Sequence, residues 1–248
     1  MIFEGENNMS TLDLIISSSK KFYECLNNDE NGRCRSWEHC YSHFMKYRGQ
    51  KDVDYDYLSL HLAFYLASWG MYRGSSFLLQ KDYRVHIPVS KKLLSTKYDD
   101  LAGIKCSDFR KESNQELLKE ICKFLNDYYN KIREDVTGKE FKNGISSTLI
   151  TKILMGTLGC VPAYDRYFIE GIKKYNEENE EHNMIIRSFS IKSIMQIIDF
   201  YDKYHEQLED VRKSMIVEDM LYPQMKIIDM GFWQLGFESD MKTRNKKL

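Results

Sequence analysis

The sequence predicts an all-α protein, a single multi-helix domain over residues 1–248. Three observations carry this. There are only three prolines in 248 residues. Several segments repeat apolar residues at helical spacing. Strict apolar–polar alternation, the mark of a half-buried strand, is scarce.

The elements follow in order. "STLDLIISSSKKFYECL" predicts a helix near 10–26, with Ser10 as N-cap and Asp13 three residues on; Leu12, Ile15, Ile16, Phe22, Tyr23 and Leu26 form its apolar face. "YDYLSLHLAFYLASWGMY" is apolar nearly all round and predicts a central buried helix near 57–72. "SNQELLKEICKFLNDYYNKI" predicts a helix over 114–134, with Ser113 and Glu116 as a capping box and one stripe through Leu117, Ile121, Leu125, Tyr128 and Ile132. Further helices are expected at 147–158, 165–175 and 190–220, the last stopping before Pro223. Arg73–Ser76, His86–Ser90 and Thr137–Ser147 carry turn or loop signals, Lys173–Asn183 reads as a charged connection, and the tail 242–248 is basic and expected to fray. There is no internal repeat, and no linker divides the chain.

Composition narrows the function classes. The apolar fraction is 42% and the aromatic fraction 13%, which fits a globular chain with a sizeable core. The net charge of -1 gives no overall attraction to nucleic acid or an anionic membrane. Charge is uneven: residues 1–80 carry about -2, residues 81–152 about +4 and residues 153–248 about -3, so a polyanion site is expected around the middle third. No stretch of 18 apolar residues predicts a membrane span, and "MIFEGENNMS" lacks the pattern of a secretory signal. Six cysteines without CxxC spacing read as reduced thiols, and a cytoplasmic location is expected.

The most informative stretch is "GTLGCVPAYDRYF", Gly156 to Phe168. Gly159 is placed to end the preceding helix, Pro162 forces Val161 to be extended, and Asp165 stands where a carboxylate caps the next helix. The whole segment 138–168 therefore reads as hairpin, helix, tight loop, Asp. This layout resembles the helix-hairpin-helix DNA glycosylase superfamily. The resemblance covers about 30 residues and implies a glycosylase-like helical scaffold, with DNA or RNA as partner and no cofactor. It implies that "NGIS", with Gly144, Ile145 and Ser146, is a phosphate-binding hairpin, and that Asp165 in "VPAYD" is the catalytic carboxylate. Two departures bear on activity. Ser146 stands in place of the second hairpin glycine. Thr148 stands where the bifunctional enzymes carry their lysine nucleophile, which implies a monofunctional N-glycosylase-like hydrolase without β-lyase activity. Lys152 lies one helical turn further on and is a second catalytic candidate; Tyr164 and Arg166, which flank Asp165, are binding candidates.

A fixed carboxylate suits N-glycosidic cleavage because positive charge develops on the sugar as the bond breaks. The simpler reading makes Asp165 a structural N-cap.

Other constellations offer alternatives. His61, Tyr65, Trp69 and Arg73 recur every fourth residue and would line one helical face, which reads as the pocket wall of a small-molecule enzyme with Ser75 and Ser76 at its rim. Arg33, Arg35 and Trp37 form a basic-aromatic cluster of the kind that contacts phosphates. His39 and His43 with Cys34 or Cys40 have a spacing that zinc accepts, but no second paired motif accompanies them and no metal site is expected. Three readings follow: a nucleic-acid-directed protein acting through Asp165, a non-catalytic helical interaction protein, and a small-molecule enzyme using the His61–Arg73 wall. The discriminating observation is whether Asp165 opens onto a concave, partly basic cleft.

Overall fold

The computed structural model describes residues 11–178, 184–217 and 219–245. In chain order it contains α1 (Thr11–Asn27), α2 (Arg35–Tyr47), α3 (Tyr55–Ser68), α4 (Ile87–Leu93), α5 (Cys106–Phe109), α6 (Glu112–Thr137), α7 (Ser147–Thr157), α8 (Arg166–Glu178), α9 (Ile191–Lys203), α10 (His205–Lys213) and α11 (Gln224–Asn245). Short 3-10 turns join α3 to α4 and α4 to α5. The strands β1 (Ile216–Val217) and β2 (Met220–Leu221) form a minimal antiparallel ribbon between α10 and α11. The fold is all-α, and its buried apolar side chains join into one cluster. Among the described residues no helix is long and apolar enough to cross a membrane.

The core is organised around α11. This helix is buried almost continuously from Gln224 to Gln234 and packs along α8 on one side and α1 on the other. The α8–α11 contact is a backbone-to-backbone approach. A Cβ at Gly171 would lie 1.9 Å from the Phe232 carbonyl oxygen, and one at Gly236 would lie 1.9 Å from that of Tyr167. Only glycine fits either position. On the other side of the molecule, α3 packs on α2, α4 and α7. The Trp37 indole of α2 donates to the Met155 carbonyl of α7 at 3.0 Å.

Several boundaries depart from the sequence expectation. Ser10 lies outside the described residues, and α1 begins at Thr11. The helix expected over 57–72 stops at Ser68, because Gly70 turns the chain with φ +78°. α6 starts at Glu112, so Ser113 lies inside the helix and the expected capping box does not form; Lys111 is the N-cap, with no side-chain hydrogen bond. His86–Ser90 is not a loop. It leads into α4, where Pro88 sits in the first turn and its missing N–H costs nothing.

The helix expected over 190–220 is two helices, α9 and α10, followed by the β1–β2 ribbon. It breaks at Tyr204, and α10 then turns Glu209 inward to meet Tyr201, Arg212 and Gln224. Asp219, with φ +68°, helps the chain reverse into β2. α8 runs on to Glu178, three residues past its expected end. The tail is helical through Asn245 rather than frayed there, and 246–248 lie outside the described residues.

Candidate functional site

The "VPAYD" loop is held from three sides. Thr148 of α7 donates its hydroxyl to the Tyr164 carbonyl at 2.9 Å, and Thr151, one turn on, accepts from the Tyr164 amide at 2.9 Å. Asp229 of α11 accepts from the Ala163 amide at 2.9 Å. Three side chains from two helices therefore fix the backbone that delivers Asp165, and buried loop amides of this kind require such partners.

Asp165 is buried, and each of its oxygens has two partners. Oδ1 accepts from the Tyr167 and Phe168 amides at 3.0 and 3.1 Å, which makes it the N-cap of α8. Oδ2 lies 3.1 Å from Lys152 Nζ and accepts from the Trp233 indole at 3.3 Å. Lys152 also donates to the Trp69 carbonyl at 2.8 Å. Burial pushes the Lys152 ammonium below the ordinary lysine value, against the opposing pull of the Asp165 carboxylate.

A second buried ion pair stands beside the first. Lys226 Nζ and Asp229 Oδ2 are 2.8 Å apart, one turn apart on α11. The Lys226 ammonium lies over the Trp37 ring at 4.6 Å and the Phe22 ring at 5.3 Å. A void of about 10 Å³ separates the two pairs, walled by Tyr65, Trp69 and Trp233. Sequence reasoning missed this pair. Its signal is a lysine and an aspartate three apart inside the apolar run "MKIIDMGFW".

Asp165 opens onto a cleft of about 710 Å³. Its walls are aromatic, with Trp69, Tyr167, Trp233 and Phe237. Trp69 and Trp233 meet edge to face at 5.6 Å, and Phe237 stacks on Trp233 at 5.2 Å. Four arginines surround it: Arg33, Arg73, Arg166 and Arg244. Arg166 and Arg244 both pair with Asp240. Arg33 and Arg73 meet no carboxylate among the described residues. The concave, partly basic cleft looked for from the sequence is present.

The predicted site residues divide cleanly. Asp165, Lys152, Thr148, Arg166, Trp69 and Arg73 converge on this cleft. His61 does not. Because α3 ends at Ser68, the expected line from His61 to Arg73 is broken, and the His61 ring packs instead on His43 and Tyr57, with centroids 4.2 and 4.5 Å away. Tyr164 is core, not cleft: it is fully buried and donates its hydroxyl to Ser193 at 3.0 Å.

Gly144 and Ser146 do not line this cleft; Ser146 caps α7 through the Leu149 amide. A Cβ at Gly144 would meet Asn126 Oδ1 at 2.0 Å, and the same Asn126 oxygen accepts the Ile145 amide at 3.2 Å. One amide of the expected phosphate hairpin is thus engaged within the protein. Ser146 lines a separate groove of about 570 Å³ with Ser75, Ser76 and Arg133. Of the basic-aromatic cluster, only Arg33 reaches the cleft; Arg35 pairs with Glu38 and Trp37 is core. Among the described residues no group of three or more His, Cys, Asp or Glu side chains has the arrangement of a metal site.

Searches against protein-family models, curated proteins and solved structures return no match to this chain.

Proposed function

We propose that this chain is a nucleic-acid-binding protein whose cleft takes a single base, and that Asp165 serves hydrolysis of that base's N-glycosidic bond. The observation that supports this is the position of Asp165, a buried carboxylate fixed at the N-terminus of α8 and facing an aromatic-walled cleft large enough for a nucleotide. The resemblance of segment 138–168 to the glycosylase superfamily points the same way. In this reading the C1′–N bond breaks with its electron pair leaving on the base. Water then adds its oxygen to C1′, and its proton ends on the departing base. The Asp165 carboxylate stabilises the positive charge that develops on the sugar. Lys152 orients that carboxylate, and Thr148 and Thr151 hold the loop that carries it.

A second reading is base recognition without hydrolysis. It is favoured by the saturation of Asp165, whose two oxygens already have four partners in the protein.

Release of free base from single- and double-stranded oligonucleotides, with damaged and undamaged bases, separates the two. Hydrolysis predicts release by the wild type and a loss on the order of a hundredfold or more in Asp165→Asn. Because Asn leaves Lys152 buried without its counter-charge, the double variant Lys152→Met/Asp165→Asn is the better-folded comparison. Saturable binding without release from any oligonucleotide selects the recognition reading. Absence of both binding and release discards the nucleic-acid reading altogether.

A further inference from the structure

We propose that the mouth of the cleft is a phosphate subsite built by Arg33 and Arg73. Arg33 lies in the loop before α2, and Arg73 follows α3; both line the cleft. Each guanidinium is positioned by a neutral group. Arg33 sits over the Trp69 ring, 5.3 Å from its centroid. Arg73 lies across the bare Cα of Gly70, where a Cβ would approach its Nε to 3.1 Å. Trp69 and Gly70 are adjacent in the chain, so the two guanidiniums are brought to the same corner of the cleft.

The pattern of ion pairing singles these two out. Deeper in the cleft, Lys152 and Asp165 neutralise each other. Arg166 and Arg244 share the single Asp240 carboxylate, so one positive charge remains there, but both guanidiniums are engaged by it. Arg33 and Arg73 keep their full charge. A guanidinium held by an aromatic face or a glycine keeps its N–H fork free, and two such forks suit a phosphate, which offers several acceptor oxygens to bidentate donors. The aromatic walls beside them suit a planar ring attached to that phosphate, so the ligand class is a nucleotide unit. The identity of the ring rests on the reading proposed above; the phosphate subsite stands on the two arginines alone. The phosphate itself has two sources, a terminal phosphomonoester or an internal phosphodiester.

The test is a titration of the full chain at low salt, read by intrinsic tryptophan fluorescence, since Trp69 and Trp233 wall the cleft. The probes are inorganic phosphate, a nucleoside 5′-monophosphate, and one oligonucleotide with and without a 5′-phosphate. Arg33→Ala and Arg73→Ala are each expected to weaken binding by about tenfold or more, the usual loss for one charge-assisted contact. Both side chains are exposed, so these variants keep the fold. Arg110→Ala, which removes an equal charge from the Asp199 and Asp202 pairs outside the cleft, is expected to bind as wild type.

A preference for the 5′-phosphorylated oligonucleotide assigns the subsite to a terminal monoester; equal binding of the two assigns it to an internal diester. Binding that Arg33→Ala and Arg73→Ala leave unchanged, or that Arg110→Ala weakens equally, overturns the proposal, as does absence of binding by all four probes. Its failure is distinct from failure of the hydrolytic reading. Arginine-dependent phosphate binding without base release removes hydrolysis and keeps the subsite. Base release indifferent to both arginine variants does the reverse.

Discussion

The Lys152 ammonium lies 3.1 Å from Asp165 Oδ2, and the two side chains are only 4% and 12% exposed. A buried ion pair thus joins the middle of α7 to the N-terminus of α8. Helix capping alone would make Asp165→Asn nearly harmless, since Asn also caps. The pair changes that expectation.

Asp165→Asn is expected to cost about 3 kcal/mol, because it strands a buried lysine charge. Burial already disfavours the Lys152 ammonium, which tempers the loss. Adding Lys152→Met is expected to recover most of it. Denaturant midpoints of the two single variants and the double variant check this. An Asn variant as stable as wild type would show that the pair contributes nothing.

Asp229→Asn is expected to cost a similar amount, about 3 kcal/mol, by stranding Lys226 and loosening the Ala163 amide. Asp165 and Asp229 hold one loop and flank one void. Their double variant is therefore expected to deviate from additivity by about 1 kcal/mol. A full double-mutant cycle measures the coupling, and strict additivity would mean that the two ion pairs are independent.

Gly236→Ala and Gly171→Ala are each expected to destabilise by about 3 kcal/mol, since the added methyl meets a carbonyl oxygen of the facing helix and the helices must part. The carbonyl opposite Gly236 belongs to Tyr167, in the first turn of α8, so Gly236→Ala is also expected to weaken ligand binding in the cleft. Thermal melts and the fluorescence titration read the two effects. Unchanged melting of either variant contradicts the close approach.

Stability is expected to fall on acidification through His86. Its ring nitrogens meet the Tyr72 and Tyr129 hydroxyls at 2.6 and 2.5 Å, and burial lowers its pKa to about 3. The unfolded chain takes up this proton below about 6.5 while the folded chain does not. The unfolded state therefore binds more protons between about pH 3 and 6.5, and stability drops as pH falls through that window, by up to about 1.4 kcal/mol per pH unit. Urea midpoints from pH 7 to 4.5 should show a shallower slope for His86→Gln than for wild type. Equal slopes would place the acid sensitivity elsewhere.

The sequence by itself determined the local architecture. The 3.6-residue apolar periodicity of α1, α6, α7 and α9 depends only on neighbours within a few turns, so it was legible. So was the Gly159–Pro162–Asp165 punctuation that ends α7 and starts α8, because Gly at a helix end and Asp at a helix start act through backbone geometry and nearby amides. Asp165 was named from it; Lys152 was named from its place one helical turn after Thr148, and Trp69 and Arg73 from a helical line that breaks where α3 ends at Ser68. What the tertiary structure decided depends on residues far apart in the chain. α11 was not anticipated, since its first half, buried all round and carrying Lys226, Asp229 and Gly231, has no polar face to reveal its period. The partners of Asp165 come from Lys152 on α7 and Trp233 on α11, and spacing cannot state that such side chains meet. Arg73 reaches the cleft from the turn that Gly70 makes after α3, Arg33 reaches it from the loop before α2, and His61 stays on α3 against His43 and Tyr57. Where a helix stops is a local event, but what it then packs against is set by the whole core.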